Sequence, residues 1–572
     1  MTQPQNPLSL IQHCSAAEFN ALMKANQKNS GELQWLLKAR GAVDLPLFAR
    51  TLFPETFRLP FAPFHYQLFE EHNLMNRTPL AQRTGRRTCL AAPRGSAKST
   101  VVSFLLALHD IVYQREAYII LISATQRQAQ QRLRALRREL TEQTPLVRLF
   151  APRYNKNTVQ SSERYLVAGN TRIEAFGAGV EMRGISHNGW RPTKVILDDA
   201  ESSAAAQSPR RRQRLHDWFS EVVEPIGQQQ THFLAIGTVL HAESLLSTLL
   251  TRPDFTALRL ASITQFAPDS HHWRYWKALL TDSTSQAPGM GTTRQAARQY
   301  FLQHKAEMEQ GAEVLWPESE DYEQLLTQLT VQGRRSFYQE KQNQPQGPED
   351  ALFRPREAWI ARRTDTGWSL KSPWSTNNPL QPMRTYKRDE LRITAHLDSA
   401  LGKSKAANEG DFAALAVLAE AGDSQLIAID CWVKRSSPTE QLIALFNLHE
   451  EYNFQAVTIE GTGFQELLEH PLEEERIRRQ TQGRPCSFFV NFVKPHLKKE
   501  LRIAKLDPLL CNGKLALAES LPEEFWRELS DFPRTAYDDA LDALAAAVEY
   551  RRLGAPSGQE NTSVFAVRRR QP

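Results

Sequence analysis

The chain has 572 residues, 41% of them hydrophobic and 23% charged. At roughly 100–200 residues per domain, that length predicts three or four folding units. A total of 70 Lys and Arg against 64 Asp and Glu gives a net charge of +6, which admits a polyanionic partner without demanding one. No apolar run reaches the ~18 residues needed to span a bilayer, so no membrane association is expected.

The opening "MTQPQNPLSL" lacks a basic segment followed by an apolar core, and no export signal is expected. Cys14, Cys89, Cys431, Cys486 and Cys511 are scattered without paired spacing. That argues against a disulfide framework or a zinc site and for a reducing compartment.

In chain order, residues 1–60 hold a helical start, "SAAEFNALMKANQ", before a proline-punctuated aromatic stretch. From about 85 to 250, four short apolar runs alternate with helical patterns: "TCLAAP" (88–93), "AYIILISA" (117–124), "KVILDDA" (194–200) and "THFLAIGT" (231–238). This alternation predicts a parallel α/β sheet. Residues 61–350 are assigned to this domain, including a mixed Trp-, Gln- and Pro-rich stretch. Residues 351–390 are assigned to an interdomain linker.

A second alternation begins at 391 and runs to 555. "LRITAHLDSA" (391–400), "DFAALAVLAEAG" (411–422) and "SQLIAIDCWVK" (424–434) are separated by short turns, which predicts an antiparallel meander. A helix over 438–453 leads to a fourth strand, "FQAVTIEG" (454–461), and a helix over 537–552 closes the unit. Residues 556–572 are assigned to a basic flexible tail. Four basic clusters (132–140, 209–216, 476–480 and 567–572) read either as solvated helix faces and a tail or as polyanion contacts.

The first chemical motif is "AAPRGSAKST" (91–100). A phosphate loop needs a strand, a tight turn and a helix N-terminus whose N–H groups point at anionic oxygens. Here Pro93, Arg94, Gly95, Ser96, Ala97, Lys98, Ser99 and Thr100 would form it. Lys98 would reach the phosphates and Ser99 would ligate Mg²⁺. Ala97 stands where the usual pattern has glycine.

The strand "KVILDDAES" (194–202) then supplies acids. Asp198 would hold Mg²⁺, and either Asp199 or Glu201 would polarise the attacking water. Gly237 and Thr238 end a further strand, where they could sense the γ-phosphate.

The second motif is a set of acids distributed over the C-terminal half. Asp398 lies on the first strand, Asp411 begins the second, and Glu460 ends the fourth. Asp538, Asp539 and Asp542 lie in the last helical pattern. Converging carboxylates repel unless cations offset them, and two Mg²⁺ or Mn²⁺ ions would clamp a phosphodiester displacement. The order of strands and acids matches a ribonuclease-H-like nuclease.

An ATPase half followed by such a nuclease half resembles the large terminase subunit of tailed bacteriophages, over roughly residues 60–550. Its phosphate loops often read P-R-G-x-[GA]-K-[ST], which "PRGSAKS" (93–99) matches. "EMRGISHNGWRPTKVILDDAES" (181–202) resembles the stretch around its second acidic motif. "IGTVLHAESLL" (236–246) resembles its coupling motif, with Gly237 and Thr238. "VLWPE" (314–318) and "SFYQEKQNQP" (336–345) resemble the segment joining ATPase to nuclease. "HLDSALG", "VTIEGTGF" and "AYDDALDALAAA" resemble the nuclease motifs.

The resemblance implies an ASCE-type P-loop ATPase followed by the ribonuclease-H-like domain. It implies ATP with Mg²⁺, two Mg²⁺ or Mn²⁺ in the nuclease, and Asp538 or Asp539 as the third metal ligand. Gln67 would hydrogen-bond adenine, and Arg94, Arg127 and Arg183 are the candidates for a catalytic arginine. Expected partners are double-stranded DNA, the portal protein, the small terminase subunit, which residues 1–60 would contact, and further copies in a ring. The setting would be the cytoplasm of the bacterial host. A repair helicase–nuclease, which would need two tandem ATPase cores, and an inactive virion scaffold are the rival expectations.

Overall fold

The computed structural model describes residues 11–12, 14–151, 153–281, 293–345, 351–373, 384–399, 412–460, 465–535 and 537–553. The chain divides into two compact units. One comprises Met1–Pro268, Glu309–Leu326 and Arg335–Gly347; the other comprises Asp269–Met308, Thr327–Arg334 and Pro348–Pro572.

The first unit is built on an eight-stranded sheet: β1 (Arg87–Ala91), β2 (Tyr118–Ser123), β3 (Gln160–Ser161), β4 (Tyr165–Ala168), β5 (Thr171–Gly177), β6 (Lys194–Asp198), β7 (His232–Gly237) and β8 (Thr256–Arg259). Their spatial order is β3-β4-β5-β2-β6-β7-β1-β8. Strands β5, β2, β6, β7, β1 and β8 run parallel, whereas β3 and β4 fold back antiparallel at one edge. The four strands expected from apolar runs are β1, β2, β6 and β7. All six residues of β2 and of β7 are buried, as continuous apolar runs require of central parallel strands. One strand, β7, separates β1 from β6, which is the ASCE-type arrangement.

The helix Gln126–Thr141 starts at a capping box. Thr125 Oγ1 accepts from Gln128 N, and the Gln128 side chain accepts from Thr125 N. Ala129, Leu133, Leu136 and Leu140 are buried along one face, and each leucine contributes about 1.5–3 kcal/mol by leaving water. The helix is thereby fixed against the sheet, with Arg127, Arg134 and Arg138 exposed.

The second unit is built on a nine-stranded sheet. Its strands are β11 (Trp359–Arg363), β12 (Gly367–Lys371), β13 (Arg384–Lys387), β14 (Leu391–Asp398), β15 (Ala413–Ala421), β16 (Leu426–Lys434), β17 (Ala456–Glu460), β18 (Phe489–Val493) and β19 (Leu515–Ala518). A separate pair, β9 (Ile263–Gln265) and β10 (Glu313–Val314), belongs to the first unit.

The nine-stranded order is β13-β12-β11-β19-β16-β15-β14-β17-β18. Strands β14, β15 and β16 form the expected antiparallel meander, and β17 and β18 add in parallel beside β14. That is the ribonuclease-H-like core. The alanine-rich strand β15 is buried along nearly its whole length, and the alanine-rich helix Asp539–Tyr550 packs on it. Small side chains on both partners permit that close approach.

Two boundaries differ from the sequence reading. The 351–390 segment is not a bare linker: β11 pairs with β19, and Trp359, Ala361 and Leu370 are buried in the core of the second unit. Residues 269–308, grouped with the ATPase in the sequence, pack with the second unit. Their Trp273, Trp276 and Phe301 form apolar contacts that composition alone did not assign to a partner. The tail at 556–572 lies outside the described residues.

Candidate active sites

In the first unit, β1 ends at Ala91 and the chain turns through Pro93–Ala97 into a π-helical segment, Thr100–Leu106, which continues as Ala107–Val112. Gly95 takes φ +91° and Ala97 takes φ +58°. The second value lies in the left-handed region, where a Cβ is strained and glycine is not. Ala97 therefore adopts the conformation of the missing glycine.

The loop is held from several sides. His65 Nδ1 accepts from Ala62 N (2.9 Å), so its Nε2 donates to Ser96 O (3.0 Å). Burial lowers the His65 pKa, keeping it neutral in that role. Arg94 N donates to Glu340 O (2.8 Å). Lys341 Nζ donates to Arg94 O (2.8 Å) and to both oxygens of Glu320 (2.8 and 2.6 Å). Asn343 Oδ1 accepts from Val239 N (2.9 Å). The 336–345 segment, expected as a connector, thus buttresses the phosphate loop. Nothing in its local pattern signalled this.

Within the site, Lys98 is buried and its Nζ donates to Thr238 Oγ1 (3.1 Å). Ser99 Oγ donates to Asp198 Oδ1 (2.7 Å), and Ser103 Oγ donates to Asp198 Oδ2 (2.6 Å). Arg132 pairs with the same carboxylate and reaches Ser99 Oγ (3.3 Å). Asp198 is fully buried and fully partnered. Ser99 and Asp198 offer adjacent hard oxygens, the donor set that suits Mg²⁺. Ser103 and Arg132 escaped the sequence reading. Arg132 lay in a cluster open to either a solvated face or a polyanion, and periodicity does not say which acid a basic residue reaches.

Asp199 sits at φ +48°, its N–H donating to Ile236 O (2.9 Å). A Cβ at Gly237 would lie 3.2 Å from Asp199 Oδ1, so glycine leaves that carboxylate its room. Desolvation raises the Asp199 pKa even though part of the residue reaches solvent, with Lys98 opposing and the Asp198 charge adding. Glu201 is directed elsewhere. Its Oε2 accepts from Leu245 N (3.1 Å) at the start of the helix Leu245–Thr251, and burial raises its pKa.

Arg94, Arg127 and Arg183 are all exposed. The Arg94 guanidinium approaches Glu340 at 3.9 Å, and Arg183 approaches Glu181 at 3.5 Å. Gln67 is exposed on the helix Pro63–Met75. A cleft beside the loop is lined by Pro93, Gly95, Ser96, Trp316 and Glu320, and Gln67 is not among its walls.

In the second unit, Asp398 ends β14 and Glu460 ends β17, adjacent parallel strands. Asp542 projects from the first turn of the helix Asp539–Tyr550. One carboxylate oxygen from each of these three lies within 4.8 Å of the others. Three converging carboxylates fit a divalent cation such as Mg²⁺ or Mn²⁺. Burial, then the charges of Glu460 and Asp542, push the Asp398 pKa up to about 7.

Basic residues answer the other acids. Arg502 Nε and Nη2 grip both oxygens of Asp542 (2.6 Å each), and Nη2 also reaches Glu460 Oε2 (3.1 Å). Lys499 Nζ pairs with Asp538 (2.7 Å) and Asp539 (2.5 Å).

Of the three acids expected in the last helical pattern, Asp542 joins Asp398 and Glu460 in one cluster, whereas Asp538 and Asp539 turn to Lys499. Asp538 precedes the helix at φ −138°, so the rule that residues four apart share a helix face does not bring it alongside Asp542. Asp411 lies outside the described residues. Glu528, missed in the sequence, accepts from Leu541 N (3.1 Å) at the start of that helix, and burial pushes its pKa up to about 8.

No protein-family model matches the chain, and no curated protein matches it. Solved structures do. The large terminase from a thermophilic bacteriophage, in complex with ADP, is 11% identical, covers 86% of this chain and 100% of its own, and gives a TM-score of 0.35. The ATPase domain of a Thermus phage large terminase is 16% identical, with coverages of 47% and 91% and a TM-score of 0.25. The Mn-soaked nuclease domain of human cytomegalovirus terminase is 13% identical, with coverages of 29% and 86% and a TM-score of 0.21. The fold assignment of each unit stands on its own strand order. No described helix is long and apolar enough to cross a membrane.

Proposed function

We propose that the chain is the large terminase subunit of a tailed bacteriophage. It would use ATP hydrolysis to drive double-stranded DNA through a portal into a capsid, and cut concatemeric DNA with its second unit. The observation that carries this reading is the presence, in one chain, of two separate side-chain clusters whose chemistry suits phosphate and divalent metal. One is the Lys98–Ser99–Asp198 constellation on an ASCE-type sheet; the other is the Asp398–Glu460–Asp542 cluster on a ribonuclease-H-like sheet.

In the ATPase, Lys98 and the loop N–H groups would bind the phosphates, and Ser99 with Asp198 would hold Mg²⁺. The metal would supply charge neutralisation at the phosphoryl oxygens. Asp199 is the better candidate to orient the attacking water, because it stands next to Asp198 at the strand end while Glu201 Oε2 is tied to a helix start. Thr238 contacts Lys98, so a phosphate that recruits Lys98 would release Thr238 and report the nucleotide state through β7. Exposed Arg94 is free to reach a nucleotide in its own or a neighbouring subunit.

In the nuclease, Asp398, Glu460 and Asp542 would hold Mg²⁺ or Mn²⁺, which would supply electrostatic stabilisation of the phosphodiester oxygens. Contacts to DNA would be mostly to phosphates and hence salt-sensitive. The portal, a small subunit, a ring of copies and the host cytoplasm complete the reading.

The test is ATPase activity with and without DNA, alongside plasmid cleavage with Mg²⁺ or Mn²⁺. The reading expects both activities. A purified chain that hydrolyses no ATP and cuts no DNA, alone or with portal and capsid, contradicts it.

A further inference from the structure

Asp542 has both carboxylate oxygens committed to Arg502, each at 2.6 Å. Glu460 gives one oxygen to the same guanidinium, at 3.1 Å. The Arg502 side chain is only 3% exposed, so this is a buried fork and not a surface pair. Its position in the cluster is fixed by the short helix Lys499–Ile503, which packs against the helix carrying Asp542.

A second divalent ion at Asp542 would have to displace a buried bidentate arginine that cannot lose its charge at any ordinary pH, unlike Arg132 beside Asp198, whose side chain is 23% exposed and can turn into solvent. Asp398, by contrast, faces the cluster with no basic partner at hydrogen-bonding distance among the described residues. A first ion bridging Asp398 to the remaining oxygens meets no such competitor.

We infer that this nuclease works with one divalent ion, held chiefly by Asp398 and Glu460, and that Arg502 takes the place of the second. This deepens the nuclease reading proposed above and rests on it. Two-ion sites place a cation on each side of the reacting phosphate. Here the guanidinium would neutralise one side. Bond making and breaking are unchanged: water adds at phosphorus, and the departing sugar oxygen takes up a proton.

The test is the number and spin coupling of Mn²⁺ ions in the full chain, read by electron paramagnetic resonance without nucleotide. The ions that disappear on Asp398→Asn are the ones counted. The proposal expects one ion, with no dipolar coupling to a neighbour. Arg502→Gln should admit a second, coupled ion and lower cleavage by about 10²–10³-fold, the usual loss on removing one transition-state donor. Arg502→Lys keeps the charge and should keep the count at one.

Two coupled ions about 3.5–4 Å apart in the wild type would overturn the inference while leaving the nuclease reading intact. The absence of any Asp398-dependent ion, together with no cleavage, would remove both. The wild-type count decides the matter even if Arg502→Gln fails to fold.

Discussion

Asp198 and Asp398 are the central acids of the two units, and their surroundings are opposite. Asp198 is fully buried yet receives Ser99, Ser103 and Arg132. Asp398 faces Glu460 and Asp542, like charges that raise its pKa together with burial. The first carboxylate is placed and compensated by the fold itself. The second has no such partner at hydrogen-bonding distance among the described residues and is left to a proton or a cation. On the reading proposed above, the first site would receive its metal together with phosphates and can keep its carboxylate partnered, whereas the second would receive a cation alone and leaves its carboxylates to meet it.

The largest effects should come from removing each acid, with opposite signs on stability. Asp198→Ala strands a half-buried arginine, the half-buried Ser99 hydroxyl and the buried Ser103 hydroxyl. It should cost about 3–5 kcal/mol in the denaturant transition of the first unit. Asp398→Asn removes a repulsive buried charge and should raise the melting temperature. Equal destabilisation by both would erase the contrast.

The second effect is on pH. The folded pKa of Asp398, about 7, lies above its ordinary value. The folded protein therefore holds this proton more tightly than the unfolded one, and the penalty grows as pH rises from about 4 to 7. The gain from Asp398→Asn should be full above pH 7 and shrink towards pH 4. Mn²⁺ should correspondingly bind more tightly, and raise the melting temperature more, at pH 8 than at pH 5.5. Calorimetric titration checks both.

Smaller changes probe the first site alone. Ser103→Ala removes one buried donor to Asp198 and should cost about 1–3 kcal/mol. Ala97→Gly relieves a left-handed alanine at the cost of a more flexible unfolded chain. It should alter stability by no more than about 1 kcal/mol, in the stabilising direction, with nucleotide affinity retained.

The same contrast explains what could be read from the sequence. Lys98, Ser99 and Asp198 follow from strand–turn–helix grammar, because contiguous residues impose their own geometry. Asp398 and Glu460 were legible as acids at strand ends. Asp542 was included, but Asp538 and Asp539 were preferred, because the helix start that decides between them depends on packing with Glu528 and Lys499. Arg132, Arg502 and Lys341 were not legible as site residues. Each is a basic residue in a polar helical stretch, and only the tertiary fold selects its acid. β11–β13 went unread because their short runs of Trp, Arg and Lys mask an alternating pattern.

The central claim, two independent phosphate-chemistry engines in one chain, is tested most directly by crossing Lys98→Ala and Asp398→Asn in one pair of assays. The account predicts that Lys98→Ala loses ATP hydrolysis and still cuts plasmid DNA. Asp398→Asn should lose cutting and still hydrolyse ATP. Loss of both activities in either folded variant, or of neither in both, would contradict it.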